Sequence, residues 1–117
     1  MSKNVVMDKS KKFALRVIKL YQYLVEEKRE YVLSKQVLRS GTSIGANICE
    51  AHNAQSKREF IVKMNIALKE AAESIYWLEL LNESDYMGKA EFESITEGCV
   101  EIKKLLVAII KSANKSV

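Results

Sequence analysis

The side chains that most often carry catalysis or hold a soft metal are scarce in this chain: one histidine, His52, and two cysteines, Cys49 and Cys99. At helical spacing, Cys49 and His52 could offer two ligands from adjacent turns. A zinc site normally takes at least three protein ligands, and Cys99 is the only further soft one, so no metal is expected. One histidine and two cysteines at apolar helix positions make no convincing nucleophile–base pair. A di-iron bundle would want Glu-x-x-His motifs on two helices, and the chain has none. Glu70 and Glu73 share a helix face, but that spacing is common on solvated surfaces. Gly41 and Gly45 do not form a phosphate-cradling loop, which needs a preceding strand and a lysine after its last glycine. The reading is of no catalytic residue, no cofactor and no small-molecule substrate.

Charge is the chemistry that remains. The formal net charge is +4, but residues 1–63 hold thirteen Lys and Arg against six Asp and Glu, while residues 64–117 hold six against nine. The first part is thus at +7 and the second at −3, an asymmetry that suggests a polyanion partner for one surface. On a helical wheel Lys9, Lys12, Arg16 and Lys19 fall within about 80° of one another, with Tyr23 beside them and no acid of the same helix between them. Lys35 and Arg39 lie on the polar side of the next helix. These six residues are the candidate nucleic-acid contacts. A merely solvated face is the competing reading.

The elements that must position these residues are helices. Proline is absent and glycine occurs only four times in 117 residues, so long helices with short connections follow. The first is expected over about 8–28, capped by Asp8 or Ser10, after an arm from Met1 to Met7. Its apolar arc holds Phe13, Val17, Leu20 and Leu24, flanked by Ala14, Ile18, Tyr21 and Val25. Glu26 to Glu30 is a polar connection. The second helix, about 33–54, buries Leu33, Val37, Ile44, Ile48 and Ala51 and carries Gly41, Gly45 and Cys49 in one line. Glycine inside a helix costs roughly 1 kcal/mol relative to alanine, so this line is a close helix–helix crossing. His52 projects in the same direction as a packed or interface residue.

Ser56-Lys57-Arg58-Glu59 has the form of a capping box and starts a third helix over about 57–81. Its main face is Phe60, Ile61, Met64, Ala67, Leu68, Ala71, Ala72, Ile75 and Leu78. A second apolar line of Val62, Ile66, Trp77 and Leu80 points to a second partner, which makes Ile66 and Trp77 candidate subunit-interface residues. After a turn from Asn82 to Gly88, the fourth helix runs over about 89–115, with Phe92, Ile95, Cys99, Ile102, Leu105, Leu106, Ile109 and Ile110 inward. The whole reads as one all-α domain over 1–117, an antiparallel up-down-up-down four-helix bundle. Cys49 and Cys99 are expected as buried free thiols. No apolar run reaches the roughly 20 residues of a membrane span, and a signal-peptide pattern is lacking, so the cytoplasm is the expected compartment.

The wording of Arg39-Ser40-Gly41-Thr42-Ser43-Ile44-Gly45-Ala46-Asn47-Ile48, with Ile66-Ala67-Leu68-Lys69-Glu70-Ala71 and Tyr76-Trp77-Leu78, resembles the bacterial family of 23S rRNA intervening sequence proteins. That family is similar in turn to the accessory protein of diversity-generating retroelements. The resemblance extends from Phe13 to the last helix. It implies a four-helix protomer, a ring-shaped homo-oligomer that is a pentamer, and, from the accessory-protein relatives, nucleic-acid binding through a basic surface. Cys49 replaces the alanine expected after Asn47-Ile48, a small-for-small exchange. The basic residues are not part of the resemblance, so binding of RNA or DNA rests on this chain's own charge stripe. The reading is therefore an oligomeric, non-enzymatic, nucleic-acid-binding bundle with no membrane role. A protein–protein scaffold or adaptor is the alternative.

Overall fold

A computed structural model describes residues 4–115 of the chain. Four helices make it up: α1 (Val5–Glu26), α2 (Leu33–His52), α3 (Lys57–Glu83) and α4 (Lys89–Lys115). Each repeats buried residues every three or four positions, so one stripe per helix faces inward. In α1 these are Val6, Ser10, Phe13, Val17, Leu20 and Leu24, and in α3 they are Met64, Ala67, Ala71, Ser74, Leu78 and Leu81. Helix α1 packs beside α2 and α4, and α3 beside the same two, which is the adjacency of an all-α up-down-up-down bundle. The molecule is elongated along the helices, at 48 × 24 × 22 Å.

Helix α1 starts earlier than its sequence suggests. Val5 to Met7 are helical, and Val6 is only 4% exposed because it continues the stripe of Ser10 and Phe13 by one turn. Neither Asp8 nor Ser10 caps it. Asn4 occupies the N-cap, Asp8 lies in the first turn, and the buried Ser10 donates its hydroxyl to the Met7 carbonyl at 2.9 Å. The part of the expected arm over residues 1–3 lies outside the described residues.

The connections are built by specific groups. Glu30 is buried rather than solvated. Its carboxylate accepts from the backbone N–H of Val32 at 3.2 Å, Leu33 at 2.9 Å and Ser34 at 2.7 Å, satisfying donors that the start of α2 leaves open. Arg29, at φ 54, makes the left-handed turn that swings Glu30 back. At the start of α3, Ser56 Oγ accepts from the Glu59 N–H at 3.0 Å. Asp85, at φ 68, turns the α3–α4 connection with a residue type that tolerates this conformation.

Two polar features sit inside the core. The hydroxyls of Ser40 and Ser74 bond at 2.8 Å across α2 and α3, and Ser74 also donates to the Glu70 carbonyl at 2.9 Å, so both are paired where water cannot reach. Ala72, expected on the inner face of α3, is exposed, and Leu81 is buried in its stead at the far end of the stripe.

Candidate nucleic-acid interface

The outer side of α1 is set by its inner one. With Phe13, Val17, Leu20 and Leu24 turned to the core, Lys11, Lys12, Leu15, Lys19 and Tyr23 face solvent. Lys9 and Arg16 lie at the edge of this face, where α4 packs alongside. Lys9 Nζ is 2.9 Å from Glu101 Oε2. Arg16 donates to Glu91 Oε2 and to Ser94 Oγ, both at 3.1 Å. These pairs are exposed and stabilise the fold by about 0–1 kcal/mol, but they fix where the two cations point. The stripe is therefore interleaved with acid after all. The acids come from α4, which a wheel of α1 cannot reveal.

Lys12 and Lys19 have no ion-pair partner among the described residues, and Lys11, which the wheel left out of the stripe, joins them on the same outer face. Lys35 and Arg39 are placed apart from them. Val17 lies against Gly41, Ser10 against Gly45, and Met7 Sδ is 3.5 Å from Cys49 Sγ, so α2 descends as α1 rises. Lys35 accordingly belongs at the C-terminal end of α1, on the outer face of α2. Arg39, one turn on along the same face, reaches across to α3. It donates to Glu70 Oε1 at 3.4 Å and to Glu73, whose Oε2 also accepts from Trp77 Nε1–H at 2.9 Å. The Trp77 indole, then the Arg39 guanidinium, hold the Glu73 carboxyl below its usual range against a smaller opposing effect of burial. The six candidate contacts thus divide into Lys12 and Lys19 with free charge, Lys9 and Arg16 tied to α4, Arg39 tied to α3, and Lys35 at the start of α2.

The small-residue line of α2 faces α1. A Cβ on Gly41 would lie 2.9 Å from a Val17 methyl, and one on Gly45 would lie 3.2 Å from Ser10 Oγ. Cys49, third in the line, is exposed rather than buried, because it lies level with Met7 near the start of α1, where little of that helix remains to cover it. His52 is also exposed and meets Asn4 Oδ1 at 3.0 Å through Nε2. Cys99 is buried, with its thiol 3.3 Å from the Ala71 carbonyl and pushed up to about 12 by burial. Among the described residues no group of three or more His, Cys, Asp or Glu is placed to hold a metal ion. No helix among them is long and apolar enough to cross a membrane.

Trp77 is half-buried against the core and meets Tyr76 edge-on, with ring centroids 5.1 Å apart. Ile66 is half-buried too. The more open apolar side chains on α3 are Val62 and Tyr76, at 49% and 53% exposure. One cleft adjoins the basic face, between the second half of α1 and the start of α4. It encloses about 410 Å³, with the buried Leu20 and Met87 beneath and Arg16, Lys19, Tyr23, Gly88 and Glu91 around it. Tyr23 was visible in the sequence beside the stripe. Met87 and Glu91 were not, since only the bundle brings them there.

Among solved structures, a protein of unknown function from the S23 ribosomal protein family of Bacteroides thetaiotaomicron is 58% identical to this chain. The alignment covers 95% of this chain and 99% of that one, with a TM-score of 0.93. No curated protein matches the chain. The family model of the 23S rRNA-intervening sequence protein matches residues 2–108. With that match across most of its length, the chain belongs to the 23S rRNA-intervening sequence protein family.

Proposed function

We propose that the protein is a non-enzymatic, oligomeric helical bundle that binds structured RNA through the outer face of α1, without strict base readout. The observation that carries this reading is the row of Lys11, Lys12 and Lys19, exposed on one helix face with Asp8 as the acid among them and none of the three in an ion pair among the described residues. Membership of a family whose description names 23S rRNA favours RNA as the polyanion. Lysines reach phosphate oxygens and release counterions, which gives affinity without sequence information and makes it fall steeply with salt. A ring of five protomers, as the resemblance implies, would repeat the face and multiply its contacts.

The test is an electrophoretic shift on a structured RNA and on duplex DNA across a salt series. Reversing Lys11, Lys12 and Lys19 to Glu should abolish the shift at about 0.15 M salt and leave the helical circular-dichroism signal intact. An unchanged affinity with an unchanged salt slope would refute the assignment of this face. The second reading is a protein scaffold, and the exposed Val100 and Val107 of α4, outside both the basic face and the α3 stripe, favour it. Absence of any RNA shift together with salt-resistant binding of a protein partner would select it, since apolar burial is not screened.

A further inference from the structure

The structure points to more than a charged face. We propose that the cleft between α1 and α4 holds a single unpaired nucleotide, its base against Tyr23 and its phosphate at Lys19. This deepens the RNA-binding reading above and rests on it. The lining decides the ligand class. Leu20 and Met87, at 6% and 7% exposure, give the cleft an apolar floor, and the Tyr23 ring, 43% exposed, stands as a wall beside it. The rim is polar and carries two cations to one acid: Arg16, Lys19 and Glu91. A bare anion would leave the floor and the ring unused. An apolar side chain would bury the cations' surroundings without meeting their charge. A nucleotide matches both parts, with a flat π-face for the ring and floor and an anionic phosphate for the rim.

Two details sharpen the match. Arg16 is held at 3.1 Å by both Glu91 and Ser94, so its guanidinium is fixed beside the cleft, while Lys19, unpaired among the described residues, is free to meet a phosphate. A Cβ built on Gly88 would meet nothing within 4 Å, so the cleft is open on the side where α4 begins. Its volume, about 410 Å³, is at the small end of ligand sites, which suits one nucleotide and not several. A base stacked inside a duplex cannot enter. The occupant is therefore an unpaired residue of a loop, bulge or end, or a free nucleotide of the same chemistry.

The experiment compares a hairpin RNA with an unpaired loop and a blunt duplex of the same stem, measured by fluorescence anisotropy with the full chain. We expect the parent to prefer the looped RNA roughly tenfold, as one base–aromatic stack provides. In Tyr23→Ala the ratio should fall to near one, and in Tyr23→Phe it should return. In parallel, adenosine 5′-monophosphate is titrated while the Met87 methyl and Gly88 amide signals are followed by NMR. Shifts at both are expected, and loss of the looped-RNA preference on adding the mononucleotide would place the two ligands in one cleft. Equal affinity of the parent for both RNAs, or an unchanged ratio in Tyr23→Ala, would overturn the cleft and leave the basic face standing. If no RNA binds but Met87 and Gly88 shift, the cleft takes a free nucleotide and the RNA reading falls. If neither occurs, both fall.

Discussion

Gly41 and Val17 meet across the α1–α2 crossing with no room for a further atom: a Cβ on Gly41 would lie 2.9 Å and 3.0 Å from the two Val17 methyls and 3.2 Å from the Val17 Cβ. Valine in a helix has one strongly preferred rotamer, so it cannot swing aside. Alanine at position 41 would gain about 1 kcal/mol of helix propensity, against an overpacking cost of about 1–3 kcal/mol. Gly41→Ala should therefore lower the urea midpoint, and Val17→Ala in the same chain should recover part of the loss. The expected coupling in the double-mutant cycle is about 0.5–3 kcal/mol. Gly45→Ala meets its closest contact at 3.2 Å, at Ser10 Oγ, and should cost less. A Gly41→Ala variant as stable as the parent, or additive mutations, would remove the close crossing as the reason for glycine.

Much of this architecture is legible in the sequence because it depends on period alone. The inward stripes repeat every three or four residues, and the boundaries of α2, α3 and α4 come within two residues of those expected from pattern and caps. What escapes depends on partners from elsewhere in the chain. Glu30 reads as one of several solvated acids in a polar connection. Only the left-handed turn at Arg29 brings it, and not Glu26 or Glu27, onto the start of α2. The charge stripe is another case. Lys9 and Arg16 are neutralised by Glu101 and Glu91, and Arg39 by Glu70 and Glu73, at separations of 31 to 92 residues that no wheel spans. Cys49 and Ala72 are small enough to sit at the edge of an apolar arc, so the wheel alone does not decide their burial.

Acid should weaken the link between α2 and α3. Glu73 accepts from Trp77 and Arg39, and its carboxyl is held below the ordinary value of 4.5. A carboxyl whose folded value is depressed contributes its stability above the unfolded value and loses it as pH falls through the folded one. The parent should therefore lose more stability between about pH 5 and pH 3 than Glu73→Gln does. The carboxylate is 36% exposed, so solvent screening keeps the difference to about 1 kcal/mol or less. Urea midpoints for both chains across that range provide the check. Parallel curves would mean that the Glu73 contacts do not couple to folding.

The two cysteines should differ sharply in reactivity. Cys49 is exposed beside Met7, whereas Cys99 is buried and its thiol is pushed up to about 12. A disulfide-exchange reagent at about pH 8 needs thiolate and access, and Cys99 has neither. One equivalent should react rapidly in the native protein, and the second only on unfolding. Cys49→Ser should remove the fast phase. Two fast equivalents in the native protein would show that the α3–α4 side opens far more readily than its packing suggests.

The outward side of α3 provides the test of assembly. Val62, Ile66, Tyr76 and Leu80 lie along a second stripe of α3 in addition to its buried one, with Lys69 and the Arg39-bound Glu73 at the positions between. Val62 and Tyr76 on this stripe are about half exposed. Such spacing suits packing against a helix of another protomer, with Ile66 partly seated already. Trp77 lies beside the stripe, but its indole N–H is occupied by Glu73 and its ring by the protomer's own core. The expected effects therefore separate. Ile66→Ser with Tyr76→Ser should move the mass measured by light scattering toward the 13.3 kDa protomer while the helical signal persists. Trp77→Ala should chiefly lower the unfolding midpoint, by roughly 3 kcal/mol or somewhat less given its partial exposure. A parent chain that stays at 13.3 kDa at high concentration would rule out the oligomer. A double variant that keeps the parent's mass would place the subunit contact on another face.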